Sequence, residues 1–188
     1  MIFNLTFVAY SITLNLKYII IGDIVVILGI DPGLATVGYG LIEKIGNSTK
    51  VIDFGIISTS KNDTLPVRLK QIYASVTALI EKYKPDSVAM EELFFQNNAK
   101  TAIAVAEARG VALLACVHKL GQLYEYTPLQ IKSALTGQGR AEKRQVQYMV
   151  KAILNLREIP KPDDAADALA VALCHSQTNL FLSGTNIR

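Results

Sequence analysis

Apolar and polar positions settle into a clear rhythm at Val25. Val25 to Ile30 is an unbroken apolar run that ends on Asp31, and Pro32-Gly33 behind it is a turn signal, so the run reads as a buried strand. Thr36-Val-Gly-Tyr-Gly-Leu-Ile42 is rich in β-formers again. It predicts the second arm of a hairpin, with Asp31 at the mouth of a central strand. Lys50 to Ser58 predicts a third strand and completes an antiparallel meander. The period then changes. Leu65, Leu69, Ile72, Val76, Ile80 and Tyr83 recur at helical spacing, behind an Asn62-Asp63-Thr64 cap and with Pro66 in the first turn, until Pro85 ends the helix. Asp86 to Glu92 is a short strand that again runs out onto carboxylates.

A long helix follows Asn97 and Asn98, either of which can cap it. Its face is built of alanines, and Gly110 sits in its middle at a cost of about 1 kcal/mol against alanine. Two explanations fit: the helix packs tightly on its own sheet, or another subunit's backbone approaches there. Gly121 ends the helix and Gln122 to Tyr126 predicts a fifth strand. After a short segment, Pro128 to Leu135, comes the loop Thr136-Gly-Gln-Gly-Arg140. A helix from Ala141 then carries Val146, Met149, Val150 and Ile153 on its apolar side, and a last helix runs from Pro162 to Cys174. A meander followed by alternating helices and strands predicts an α/β fold: a five-stranded mixed sheet with helices on both faces.

Composition narrows the class. With 51% hydrophobic and 19% charged residues over 188 positions, the chain is globular and suits one domain. Cys116 and Cys174 fall in apolar helical patterns, with no disulfide framework and no zinc spacing, which points to a reducing, cytoplasmic setting. Residues 1–23 are apolar but interrupted by polar residues, without a positive start or a small-residue cleavage site, and are a poor match to a signal peptide or a membrane span. The expected organisation is an extension over 1–23 outside the fold, one domain over 24–178, and a tail over 179–188. The net charge is +3, from 19 basic and 16 acidic residues. If four acids are gathered in one metal site, the remaining surface is strongly basic and favours a polyanionic partner.

The candidate chemistry is carboxylate chemistry. Asp31 ends a buried strand, where an uncompensated charge costs several kcal/mol. It either caps the turn or faces a cation. Asp164 and Asp167 are three apart on one helix face, and Asp163 stands one residue off it. Acids in a first helical turn also complement the helix dipole without any catalytic role. If Asp31, Glu91, Asp164 and Asp167 converge, unit charges about 4 Å apart at an effective dielectric near 20 repel by roughly 4 kcal/mol per pair, so cations or protons must join them. Oxygen ligands without His or Cys select Mg²⁺ or Mn²⁺, and two such ions suit in-line displacement at phosphorus. Phe94 and Phe95 follow a strand-end acid and either stack on bases or tuck into the core. Lys143 and Arg144 open a helix behind a glycine loop and can grip phosphate, or simply be solvated. The hairpin glycines also resemble the phosphate loop of actin-like and chaperone ATPases, but that fold places nucleotide between two such domains.

Six stretches carry a resemblance in order along the chain: Ile27 to Gly33, Ala89 to Phe94, Ala108 to Ala112, Tyr126 to Lys132, Gly137 to Lys143, and Asp164 to Ala170. Together they resemble the RuvC family of bacterial Holliday junction resolvases, over about residues 25 to 176. The resemblance implies a ribonuclease H-like fold and a homodimer. It implies an endonuclease of DNA recombination and repair that nicks two strands of like polarity in four-way junction DNA, leaving 5′-phosphate and 3′-hydroxyl ends. It further implies Mg²⁺ as cofactor, two ions per subunit with Mn²⁺ able to substitute, and a branch-migration helicase of RuvA and RuvB as partner, with no membrane. By position it makes Asp31, Glu91, Asp164 and Asp167 the catalytic and metal-binding acids. Phe94 matches an aromatic that stacks on or wedges bases, and Lys132 and Lys143 match basic residues near the scissile phosphate. Arg144 joins them as a DNA-binding candidate, while Asp163 and Glu92 take no metal role. The alternatives are a nucleic-acid-binding relative without cleavage, and the ATPase.

Overall fold

A computed structural model describes residues 24–93 and 99–178, without the side chains of 99–101. Expectations for residues 1–23, Phe94 and the tail over 179–188 lie outside the described residues. Strands β1 (Ile24–Asp31), β2 (Thr36–Ile45), β3 (Ser48–Ser58), β4 (Ser87–Glu91) and β5 (Tyr124–Tyr126) form one sheet in the order β3-β2-β1-β4-β5. The first three pair antiparallel through short turns, while β4 and β5 join parallel after helical crossovers, as connection length dictates. The five-stranded mixed sheet read from the sequence is the observed one. Its strand limits differ slightly: β3 begins two residues earlier, and β5 is only three residues long.

The helices are α1 (Leu65–Tyr83), α2 (Ala99–Leu120), α3 (Pro128–Thr136), α4 (Lys143–Ile153) and α5 (Asp163–Gln177). One sheet face carries α1 and α2, whose Ile72, Val76, Ile80, Ala112 and Cys116 pack on Leu28, Ile30 and Met90. The other carries α3, α4 and α5, with Ile131, Val146, Val150 and Leu169 around Ile27 and Ala89. β1 is therefore covered on both sides, which is why its sequence is a continuous apolar run and not an alternating one. Both cysteines are free and buried, as expected of small core residues. Among the described residues no helix is long and apolar enough to cross a membrane.

Close approach of α5 depends on missing side chains. A Cβ on Gly29 of β1 would overlap the Ala168 carbonyl, and one on Gly38 of β2 would overlap the Asp164 carbonyl. These hairpin glycines serve helix packing, which removes the sequence argument for a phosphate loop. Gly110 behaves differently: a Cβ there meets nothing within 4 Å. Packing of α2 on its own sheet does not explain it. Two caps also differ from expectation. Thr64 is the N-cap of α1 but makes no side-chain cap bond, and the neighbouring Asp63 accepts from Gln71 Nε2 at 3.0 Å. α4 starts at Lys143, two residues later than its apolar pattern suggests, behind Glu142, whose N–H donates to Gln145 Oε1 at 2.8 Å.

Candidate active site

β1 and β4 are parallel neighbours in which Ile30 pairs with Met90, so Asp31 and Glu91 follow as the next residues of adjacent strands. Strand spacing of about 4.8 Å then places their backbones side by side at one end of the sheet. On the other flank Asp31 pairs with Gly38, the residue on which the first turn of α5 rests. The same contact delivers Asp164 and, one turn on, Asp167. Four acids distant in sequence thus meet because two strands end in register and one glycine lets a helix start against them.

Their electrostatics show what the meeting costs. Burial pushes the Asp31 carboxyl up to about 7, helped by repulsion from Glu91, Asp167 and Asp164. Burial and then Asp167 push Glu91 up to about 7 as well, opposed by Lys143 and Lys132. Asp167 is raised chiefly by burial, against a hydrogen bond from Lys143 that lowers it. Burial among other acids is an environment that a turn cap alone does not call for. Two buried carboxyls raised this far by burial and by neighbouring acids are what is expected where a positive partner belongs.

Lys143 brings a positive charge to the cluster. Its ammonium donates to Asp167 at 2.7 Å and stands 3.4 Å from Asp163. Burial alone would lower its pKa, but the bond to Asp167 and the charges of Asp167 and Asp163 raise it on balance. Asp163 also accepts from Gln147 Nε2 at 3.0 Å. The sequence reading left Asp163 without a role; its carboxylate in fact links the first turns of α4 and α5. Only the meeting of two helices reveals this, since Lys143 and Asp163 are 20 positions apart.

A cleft of about 250 Å³ opens beside two of the acids, lined by Glu91, Asp167, Lys132 and Lys143. Lys132 and Lys143 thus share one cleft with Glu91 and Asp167. Arg144 lines a different groove, with Gln145 and Tyr148. Phe94 lies outside the described residues. Among the described residues no three His, Cys, Asp or Glu side chains are grouped to hold one ion as they stand. The donor set is nevertheless all carboxylate oxygen and partly buried, which fits a hard divalent cation once Lys143 leaves Asp167. The Ala108 to Ala112 stretch contributes structure rather than chemistry, through an ion pair from Arg109 on α2 to Glu125 on β5.

Residues 27–175 match the profile of the family described as crossover junction endodeoxyribonuclease RuvC. Two relatives bearing that name are similar over most of their length. The protein of Alkaliphilus metalliredigens is 56% identical over 158 residues, covering 84% of this chain and 96% of its own. That of Finegoldia magna is 57% identical over 149 residues, covering 79% and 91%. Among solved structures, Thermus thermophilus RuvC in complex with Holliday junction substrate aligns with a TM-score of 0.77 at 32% identity, over 87% of this chain and 99% of that one. The yeast mitochondrial Holliday junction resolvase Ydc2 aligns with a TM-score of 0.59 over 80% of this chain and 78% of its own, at 15% identity, a likeness of fold.

Proposed function

The chain belongs to the RuvC family of crossover junction endodeoxyribonucleases, and we propose that the acid cluster at the end of its sheet is where it cuts. It is an endonuclease that resolves Holliday junctions, of ribonuclease H-like fold. The observation that carries the site is the in-register pair Asp31 and Glu91, both pushed up to about 7 beside Asp164 and Asp167. These four are the catalytic and metal-binding acids.

Mg²⁺ is the resident metal, two ions per subunit with Mn²⁺ able to substitute. Bound there, such ions supply an activated water and neutralise the leaving oxygen of a phosphodiester. The protein side of the mechanism is electrostatic and positional. Asp31 and Glu91 are fixed by strand register, and Asp164 and Asp167 by the first turn of α5, so the negative charge is already assembled before substrate arrives. Lys143 neutralises Asp167 in the resting chain and, once released, is a donor for the scissile phosphate together with Lys132. Arg144 contacts the backbone further out. Phe94 holds bases out of the stack at the crossover, and Phe94→Ala impairs intact junctions more than those with an unpaired centre.

A homodimer suits a substrate with two equivalent strands to nick. α2 supports one: Ile103, Gly110, Leu114 and Val117 share an exposed apolar stripe, with Ile103 63% and Leu114 57% accessible. Two copies related by a two-fold axis can pack this stripe on itself, with Gly110 as the crossing point. RuvA and RuvB are the proposed branch-migration partners, and the cytoplasm the proposed setting. The purified chain, incubated with a synthetic four-way junction with and without Mg²⁺, tests the whole reading. Paired nicks in strands of like polarity are expected only with metal. Nucleotide binding without nicking would favour an ATPase, and junction binding without nicking a non-catalytic relative.

A further inference from the structure

The turn that follows Asp31 is held from the β3 side. Asp31 pairs with Gly38, and β2 extends two residues past that pair, so Val37 and Thr36 meet only β3, at Ile57 and Ser58. On its other flank β1 leaves β4 one residue earlier, at Ile30 and Met90. Pro32 to Ala35 therefore lie beyond the ladders of β1, and whatever fixes them must reach in from β3 or α1. The turn itself is tight: a Cβ on Gly33 would overlap the Thr36 carbonyl.

Thr59, one residue past the end of β3, grips this turn twice. Its N–H donates to the Ala35 carbonyl at 3.0 Å, and its hydroxyl donates to the Leu34 carbonyl at 2.6 Å. Arg68, near the start of α1, donates from Nε to the same hydroxyl at 2.8 Å. A guanidinium only donates, so the hydroxyl accepts from it and gives its one proton to Leu34, which fixes the direction of the chain of bonds. A charged donor also strengthens the bond that the hydroxyl passes on. Arg68 is half-buried and has no ion pair among the described residues, so its donor is committed to a hydroxyl in place of a carboxylate. Ala35 is exposed, where water could satisfy a carbonyl. Three donors committed to one accessible turn exceed what solvation requires.

Asp31 is the last residue of β1, so the position of the turn behind it sets where its carboxylate stands against Glu91. Mg²⁺ demands near-ideal octahedral geometry, and a small displacement of one oxygen ligand weakens its hold. Resting on the assignment of Asp31 to the metal site, we propose that Thr59 and Arg68 are positioning residues for it. They act through the Leu34 and Ala35 carbonyls and make the turn part of the rigid frame of the site. In this way α1, which supplies no acid to the cluster, takes part in placing one.

Thr59→Val on the full-length chain keeps the shape of the side chain and removes the hydroxyl. With a synthetic four-way junction it is expected to lower kcat about 5- to 20-fold and to raise the Mg²⁺ concentration for half-maximal cleavage about 3- to 10-fold, while KM for the junction stays within about twofold. Mn²⁺ binding to the DNA-free chain, titrated by calorimetry, is expected to weaken by the same factor of about 3 to 10. Thr59→Ser, which keeps the hydroxyl, restores all three. Arg68→Met moves them in the same direction and less, and adding it to Thr59→Val changes nothing more, because both act through one chain of bonds. Each variant is assayed well below its Tm, where a loss of stability alone leaves metal dependence unmoved. Parent-like kcat and metal affinity in Thr59→Val overturn the proposal, and so does a loss that Thr59→Ser does not restore. A KM that rises while metal dependence stands still places these side chains on the DNA and overturns it as well. In all three cases the cutting site stands as long as Asp31→Asn, run beside them, abolishes cleavage. Parent-like cleavage by Asp31→Asn removes the site assignment, and this proposal with it.

Discussion

The two ends of α5 lie on the same sheet and treat charge in opposite ways. At the N-terminal end Asp164 and Asp167 join Asp31 and Glu91, and repulsion and burial lift Asp31 and Glu91 to about 7. At the C-terminal end His175 is fully buried, with Ser87 Oγ 3.0 Å from Nε2 and the Tyr126 hydroxyl 2.7 Å from Nδ1. Burial, and after it the Lys44 ammonium that donates to the adjacent Ser176 carbonyl, lowers its pKa to about 4. The histidine is neutral and has both ring nitrogens bonded, so nothing further is required of a ligand. The acids repel one another, and Lys143 answers only Asp167 and Asp163 among them with an ion pair. A polar group in a core marks a site when its needs are unmet, and marks architecture when they are met.

The largest expected effect breaks the N-terminal end. Asp31→Asn or Glu91→Gln should lower junction cleavage by about 10²- to 10³-fold or more, the scale of losing a metal ligand, while junction binding persists. The same substitutions should stabilise the metal-free protein at pH 8 by on the order of 2 kcal/mol, read as a raised Tm, because one repelled charge is gone. A ligand that was merely structural would show the reverse pair of effects.

Next in size, His175→Ala should cost about 2 to 4 kcal/mol by denaturant unfolding, from a cavity and the loss of two hydrogen bonds. Cleavage per folded molecule should not change. If activity falls with stability restored by lower temperature, the two ends of the helix are coupled and the contrast between them fails.

pH separates the ends more finely. The acids have folded pKa values above their unfolded ones, so the folded chain holds the extra protons and their contribution to stability is lost as pH rises from about 4 to about 7. His175 has a folded pKa below its unfolded 6.5, so its contribution is full above about 6.5 and is lost as pH falls toward 4. The two oppose each other over one window. In metal-free Asp31→Asn/Glu91→Gln the acid contribution disappears, and stability measured by urea unfolding should rise between pH 4 and 6.5 where the parent's falls or stays flat.

The smallest effect concerns Asp163. An exposed ion pair is worth at most about 1 kcal/mol, so Asp163→Asn should reduce kcat about 2- to 5-fold by loosening Lys143, with metal affinity unchanged. The sequence alone would have Asp163 silent. A value within experimental error of the parent restores that expectation.

By itself the sequence determined the strands, the helices and the acids at the strand ends, because apolar period and turn residues are local properties read over a few positions. Val25 to Ile30 could only be a strand covered on both faces, and Asp31 was conspicuous for ending it. It also carried, through ordered motifs, the family and its reaction. Tertiary structure alone decided which charges meet. Strand register set Asp31 beside Glu91, and the gap at Gly38 set α5 against them. Helix orientation gave Lys143 to Asp167 and Asp163 and Arg144 to a different groove, a difference of about 100° between adjacent residues that no composition records. His175 stayed hidden for the same reason. Its partners, Ser87 and Tyr126, are 88 and 49 positions away, and satisfaction of a buried group is a fact about neighbours in space.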